Sequence, residues 1–325
     1  MTANSQSPVF VSSAAAQAVF RWKDAIAALQ AAYGQHLPAR ATPPRTVASL
    51  EKAWLRTWPA IPAGGRYYGA KLMGSNMGDA PPGIEYAIVL FDRTTNRIAA
   101  FIDANLVTGF RTAATSAAAL DRLAPQRPAR LAVIGSGLEA SMHIRAFASV
   151  RELTEIIVFS PTFERREAFA ASATRDLGVP ARGVGSAQEA VEGADIVLTA
   201  ARSRDEKPIL FGDWLKPGAT VVSIGSTIPE QREIDVSVVE RSDLIICDTL
   251  EEVLEETGDM LAAHAAGIEF RQKAFSLSDL MSGACNEQLK QAKAPMFKSV
   301  GGGLQDIVVA ELILTKAIEA GLATA

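Results

Sequence analysis

The sequence predicts an α/β fold: a doubly wound parallel sheet joined to a small α+β domain. Three observations carry that prediction. The apolar run Arg130–Ile134 ends in Gly135-Ser136-Gly137-Leu138-Glu139-Ala140 and passes into a helical stretch to Val150. Four further apolar runs follow, alternating with helical segments. The rhythm begins only at Arg130, so a nucleotide-type domain is expected between the N- and C-terminal parts of a second domain. The expected bounds are 121–298 for the parallel sheet, and 1–120 with 299–325 for the second domain.

Taken in order, Ser12 or Ser13 caps a helix expected over Ala14–Tyr33, which Gly34 and Pro38 end. Pro43-Pro44-Arg45-Thr46 reads as a stiff extended connector. Tyr67–Met73 alternates as a strand does, and Gly74–Gly83 is a loop rich in Gly, Pro and Asn. Tyr86–Phe91 and Ile98–Asp103 are two strands joined by a turn at Thr94–Asn96. Thr108–Leu123 is an alanine-rich helix. The parallel strands are expected at Leu131–Ile134, Ile156–Phe159, Ile196–Thr199, Thr220–Ile224 and Leu244–Cys247. Helices are expected at Glu139–Val150, Phe163–Asp176, Ala187–Val191 and Leu250–Glu256. A glycine-rich loop, Ser299–Gly303, precedes a last helix from Leu304 to near Ala320.

Composition excludes several function classes. The 325 residues suffice for two cores, and 48% hydrophobic with 21% charged is ordinary for a globular chain. The net charge is −4 with no basic block, so nucleic acid is not an expected partner. No apolar run approaches the ~20 residues of a membrane span. The polar start and the Arg21 and Lys23 that follow Ala14–Val19 make that stretch a helix start and not a signal peptide. Cys247 and Cys285 form no C-x-x-C pair, and Cys247 lies in a strand pattern, which fits core packing in a reducing cytoplasm.

The glycines of 135–140 suit a tight turn and let backbone N–H groups approach a pyrophosphate, with the positive helix end towards it. Ala140 is small enough to pack the helix on the sheet. Between a strand and a helix this points to a dinucleotide, the alternative being a plain strand-to-helix turn. An NAD site usually has Asp or Glu at the end of its second strand. Here Phe159 is followed by Ser160-Pro161-Thr162, with Arg165 and Arg166 beyond. Ser160 and Thr162 can donate to a phosphate and an arginine can pair with it. NADP(H) is therefore favoured, with NAD(H) the alternative; the arginines are otherwise solvated residues on a helix face.

Lys71 lies at the expected end of a strand. A buried lysine can lose its proton and act as acid or base, although a lone lysine is more often a surface charge. Arg45 and Arg111 can each clamp a carboxylate in a bidentate fork, and can equally be salt-bridge partners. His36, His143 and His264 are scattered without metal-ligand spacing, so no metal is expected. No Gly-x-Ser-x-Gly elbow suggests a serine hydrolase. Glu251–Glu256 reads as a solvated helix face. Asn76, Met77, Glu85 and Tyr86 are expected near the substrate's side chain.

Five stretches together resemble the ornithine cyclodeaminase/μ-crystallin family, from Arg45 to the final helix. They are Gly69-Ala70-Lys71, Gly109-Phe110-Arg111-Thr112 through Ser116, Gly135–Ala140, Lys216-Pro217-Gly218 through Gly225 to Glu233-Ile234-Asp235, and Lys298–Gly301 with Gln305-Asp306. The resemblance implies a homodimer, with a Rossmann domain set between the two parts of a substrate and dimerisation domain. It implies chemistry on small 2-amino or 2-imino acids with a nicotinamide cofactor. It places Arg45, Lys71 and Arg111 on the substrate carboxylate, with Lys71 moving the proton. Thr112 and Gly135, Ser136, Gly137, Leu138, Glu139 and Ala140 would contact the pyrophosphate. Ser160, Pro161 and Thr162 would surround the adenosine ribose, and Thr199, Ala200, Ala201, Gly225, Ser299 and Gly301 would line the nicotinamide side.

Two departures from the family pattern bear on function. Cyclodeaminases carry an aspartate two residues before the proline of the Gly225–Pro229 loop, where this chain has Thr227. Threonine is no general base near neutral pH, so the expected activity is that of an imino-acid reductase or amino-acid dehydrogenase. A cyclodeaminase-type lyase and a non-catalytic binding protein are the alternatives. Glu139 stands where the family usually has Gln, and a carboxylate beside a pyrophosphate is unfavourable unless it turns away or caps the helix.

Overall fold

The computed structural model describes residues 7–76, 83–201, 205 and 207–324. It divides into two compact units: one takes the chain up to Thr112 and again from Gly302, the other is Ala113–Gly301.

The first unit opens on β1 (Val9–Val11), α1 (Ser13–Val19) and α2 (Trp22–Tyr33). Ser12 caps α1, its side chain accepting the Ala15 N–H, and Gly34 closes α2. The single helix expected over 14–33 is thus two helices. Phe20 turns extended, at ψ 137°, and its ring stacks on Phe110 at 4.2 Å while Trp22 meets both rings edge-on. Bringing three rings together requires the backbone to change direction at that point.

Next come β2 (Thr46–Leu50), β3 (Ala53–Ala60), β4 (Tyr67–Asn76), β5 (Gly83–Asp92), β6 (Ile98–Asp103) and α3 (Asn105–Leu123). The strands form one sheet in the order β1-β6-β5-β4-β3-β2, antiparallel except for β1 with β6. The expected connector around Arg45 gives way to β2 at Thr46, where every residue is exposed and no burial pattern marks a strand. The loop expected from Gly74 is still strand through Asn76. Met77 lies outside the described residues.

The second unit is built from β7 (Ala129–Ile134), α4 (Leu138–Val150), β8 (Leu153–Phe159), α5 (Phe163–Leu177), β9 (Ala181–Gly183), α6 (Ala187–Val191), β10 (Ile196–Thr199) and β11 (Thr220–Ser223). It continues with α7 (Val236–Arg241), β12 (Leu244–Cys247), α8 (Leu250–Glu256), α9 (Gly258–Ala265), β13 (Ala274–Ser276), α10 (Leu277–Ser282), α11 (Asn286–Gln291) and β14 (Pro295–Lys298). All eight strands are parallel, in the order β13-β12-β14-β11-β10-β7-β8-β9. Their central members are buried on both faces, which is why they read as unbroken apolar runs. Winding reverses between β7 and β10, and ligands of such sheets bind at the carboxyl ends beside that point. Cys247 is wholly buried in this core. Glu252 is buried as well, so the acidic face expected over Glu251–Glu256 is only partly solvated.

The last helix, α12 (Gly303–Glu319), returns to the first unit. Leu304, Ile307, Ile313 and Leu314 are buried where α12 packs on α2 and the strands β3–β6. No helix among the described residues is long and apolar enough to cross a membrane.

Candidate active site

In the first unit, β4 alternates so that Tyr67, Gly69 and Lys71 point inward. Lys71 stands in the middle of that strand and not at its end, and it is only 1% exposed. It is therefore not the surface charge that a lone lysine usually is. Its Nζ donates to Asp306 Oδ1 at 3.0 Å and lies 2.9 Å from Oδ2. Arg111, on α3, brings Nε within 2.8 Å of Asp306 Oδ1 and donates from Nη1 to Gln305 Oε1 at 2.9 Å. Trp58, opposite Lys71 across β3 and β4, places its ring 4.6 Å from the ammonium.

Asp306 is wholly buried in the first turn of α12, where the helix dipole favours a carboxylate. Two cations and one carboxylate thus lie together in a buried place of low dielectric, an arrangement suited to an additional anion. The structure brings Lys71 and Arg111 together through Asp306. Arg45 is half-buried just ahead of β2. Asp306, Gln305 and Trp58 gain a place in the site that residue-by-residue reading did not assign. The only sequence signal was the Gln305-Asp306 pair at a helix start. Glu85 is exposed and accepts from Asn105 Nδ2 at 2.9 Å. Tyr86 is half-buried and Asn76 is exposed.

In the second unit, the turn after β7 has two glycines with different roles. Gly135 has φ +118°, and a Cβ there would lie 2.6 Å from the Ala200 carbonyl oxygen, so the close approach of the turns after the parallel strands β7 and β10 requires glycine. Gly137 is the N-cap of α4, with no side-chain cap, and a Cβ there would meet nothing within 4 Å. Packing within the protein does not call for glycine at that position, and the backbone there is open to close approach. Ala140 is wholly buried under α4, Leu138 is 58% exposed, and the Glu139 side chain is partly exposed beside His143. His143 is a packed core histidine, bonded to the Glu139 carbonyl and to Ser116 Oγ.

At the end of β8, Ser136 Oγ donates to Ser160 Oγ at 2.9 Å, tying the glycine turn to the second strand. Pro161 and Thr162 are exposed, and Thr162 begins α5 without a side-chain cap. Arg166 donates to the Ser160 carbonyl and lies over Phe163, whereas Arg165 is exposed. Thr112, in the first unit, donates its hydroxyl to Thr108 O at 2.7 Å.

The other strand ends are held by two buried carboxylates, Glu233, which was legible only as part of a family stretch, and Asp248, which sequence reading did not single out. Thr199 Oγ1 reaches Val222 O, while Ala201 and Gly225 donate their N–H groups to Glu233. Ser299 Oγ and Gly301 N both donate to Asp248 Oδ2, at 2.7 and 2.9 Å. Burial pushes the Glu233 carboxyl above its ordinary range, against the pull of Lys298 and its hydrogen-bond donors. Among the described residues, no three His, Cys, Asp or Glu side chains cluster as a metal site would. Thr227 is bonded to Gln231 Oε1 through N–H and hydroxyl.

The model of the ornithine cyclodeaminase/mu-crystallin family matches residues 8–321. The curated ketimine reductase mu-crystallin of Rattus norvegicus is 33% identical over 276 residues, covering 83% of each chain. A Delta(1)-pyrroline-2-carboxylate reductase of Paracoccus denitrificans (strain Pd 1222) is 28% identical, covering 96% of this chain and 98% of that one. Among solved structures, the Thermococcus litoralis Delta(1)-pyrroline-2-carboxylate reductase in complex with NADH and L-proline has a TM-score of 0.87 at 25% identity. The match covers 98% of this chain and 99% of that one.

Proposed function

Because the chain belongs to the ornithine cyclodeaminase/μ-crystallin family, we propose that it is an NAD(P)H-dependent reductase of small 2-imino or 2-oxo acids, in reverse an amino-acid dehydrogenase. The observation that carries this reading is the buried Lys71–Asp306–Arg111 group. A bound nicotinamide would supply hydride to C2 of the substrate. Arg111 and Arg45 hold the substrate carboxylate, which fixes the orientation of C2. Lys71 Nζ delivers a proton to the substrate nitrogen on reduction and takes it back on oxidation. Asp306 holds that ammonium in place, with both carboxylate oxygens within 3.0 Å of Nζ. The lyase alternative needs a general base in the Gly225–Pro229 loop, and the side chain at that place is Thr227, bonded within its own loop.

The residues present fit a dinucleotide. Gly137 leaves its surroundings open at the start of the thirteen-residue helix α4, and no acid stands at the end of β8. NADPH is the favoured form, with Ser160, Thr162 and Arg165 around its 2′-phosphate. Arg165→Ala is expected to raise KM for NADPH by about tenfold, the worth of one charge-assisted hydrogen bond, and to leave KM for NADH unchanged. Steady-state kinetics with both cofactors checks this. The two glycines should separate in a paired experiment. Gly135→Ala is expected to cost about 1–3 kcal/mol of stability from strain. Gly137→Ala should lower the melting temperature by less than Gly135→Ala does and weaken dinucleotide binding, read by thermal unfolding and fluorescence titration.

Two copies would associate through the outer face of the six-stranded sheet. Leu55, Ala70, Leu72, Val89 and Phe101 share that face, with Leu55 and Phe101 each 43% exposed. Free, buried Cys247 and Cys285 support a reducing compartment such as the cytoplasm.

The deciding assay pairs 2-oxo acids with ammonia or methylamine, adds cyclic ketimine carboxylates, and follows NADPH and NADH oxidation. Ornithine with NAD runs alongside, read by ammonia release. Cofactor oxidation on an imine is the expected result. Ammonia from ornithine without net cofactor change would establish the lyase, and tight NADPH binding without turnover would establish the binding protein.

A further inference from the structure

We propose that Glu233 is a positioning residue for hydride transfer, clipping the loops after β10 and β11 in the one spacing that the nicotinamide needs. This rests on the reading that Ala201 and Gly225 line the nicotinamide side. Glu233 is wholly buried in the segment between the Gly225 loop and α7. Its Oε1 accepts the Ala201 N–H at 3.0 Å, and its Oε2 accepts the Gly225 N–H at 2.9 Å and the Ser223 hydroxyl at 2.7 Å. These donors stand at the carboxyl ends of two neighbouring parallel strands, where the ladder of backbone hydrogen bonds stops and amides need other partners. One carboxylate therefore ties two loops together.

The fit around it leaves no slack. A Cβ on Gly225 would lie 2.2 Å from Glu233 Oε1 and 2.4 Å from the Ala201 carbonyl. The glycine at 225 thus answers to the buried carboxylate as well as to any ligand. Glu233 is itself held by a closed ring of contacts. Its N–H donates to Asp259 Oδ1 at 2.8 Å, Asp259 Oδ2 accepts from Lys298 Nζ at 2.9 Å, and Lys298 Nζ donates to Ser223 Oγ at 2.9 Å. Ser223 closes the ring onto Glu233 Oε2. Lys298 and Asp259 are both wholly buried. Lys298 is also the last residue before the Ser299–Gly301 turn, which Asp248 holds separately. All three loops expected on the nicotinamide side are thus anchored from beneath by buried charge. Burying such groups is costly unless they are fully paired, and this cluster supplies that pairing.

Glutamine is the discriminating replacement. Its oxygen can keep one of the two loop amides, but its amide nitrogen cannot accept from the other. One loop is released while volume is conserved. The test compares the full chain with Glu233→Gln in binding two ligands, NADPH and 2′-phospho-ADP-ribose, which lacks the nicotinamide. The expected result is at least tenfold weaker NADPH binding, or at least tenfold lower kcat with substrate KM unchanged, while affinity for the fragment stays within twofold. Ser223→Ala, which removes the hydroxyl bonded to Glu233 Oε2 and to Lys298 Nζ and adds nothing on the nicotinamide side, should show the same split and serves if Glu233→Gln does not fold. Equal losses for both ligands, or no change in NADPH binding and kcat, would overturn the inference. The binding arm needs no turnover, so a chain inert towards imines would refute the proposed reaction without deciding the role of Glu233. A wild-type chain that binds neither ligand would overturn the cofactor reading and this inference together.

Discussion

Lys71→Met lowers kcat for imine reduction by about 10²–10⁴-fold, the usual loss when a positioned acid or base is removed. Dinucleotide affinity should stay at the wild-type value, because Lys71 is assigned to the substrate and not to the pyrophosphate or ribose. Methionine fills a similar volume beside Trp58 and carries no proton. Asp306 keeps its 2.8 Å contact with Arg111, so the variant should remain folded. Single-turnover kinetics with NADPH and an imine separate the effect on chemistry from any effect on binding. A Lys71→Met chain with near-wild-type kcat would remove the lysine from the proton-transfer step.

Asp306→Ala has its largest expected effect on stability. Removing one partner of a buried ion pair leaves uncompensated charge and costs roughly 3–5 kcal/mol. Here one carboxylate serves both Lys71 and Arg111, each less than a tenth exposed, so its removal takes a shared anionic partner from two buried cations at once. Denaturant unfolding should show the midpoint falling with little change in slope. Activity should fall as well, since the ammonium is no longer held in place. A midpoint within experimental error of wild type would mean that the cluster is hydrated in solution.

Much of the second unit was legible because its strands are buried on both faces. Ile196–Thr199 and Leu244–Cys247 have the same bounds in sequence and structure, as do the helices Ala187–Val191 and Leu250–Glu256. An apolar run flanked by turn residues has few other ways to fold. β14 was not legible, for it begins with proline and ends with a buried lysine, which leaves only Met296 and Phe297 as an apolar run. Its insertion between β11 and β12 is a matter of topology that local pattern does not encode. The break at Phe20 escaped for a similar reason: helix propensity runs through it, and aromatic packing from Phe110 overrides propensity.

By itself, the sequence determined the local chemistry: a glycine turn opening a helix after an apolar strand, and the absence of an acid after Phe159. It also determined Thr227 in place of a carboxylate, and the family to which these residues belong. Those features depend on neighbours in the chain. Only the tertiary structure decided which charges meet. Lys71 and Asp306 are 235 positions apart, and Glu233 is joined to Ala201 across 32. A buried carboxylate has no local pattern to announce it, because its partners come from distant strands and helices brought together by the burial of apolar surface.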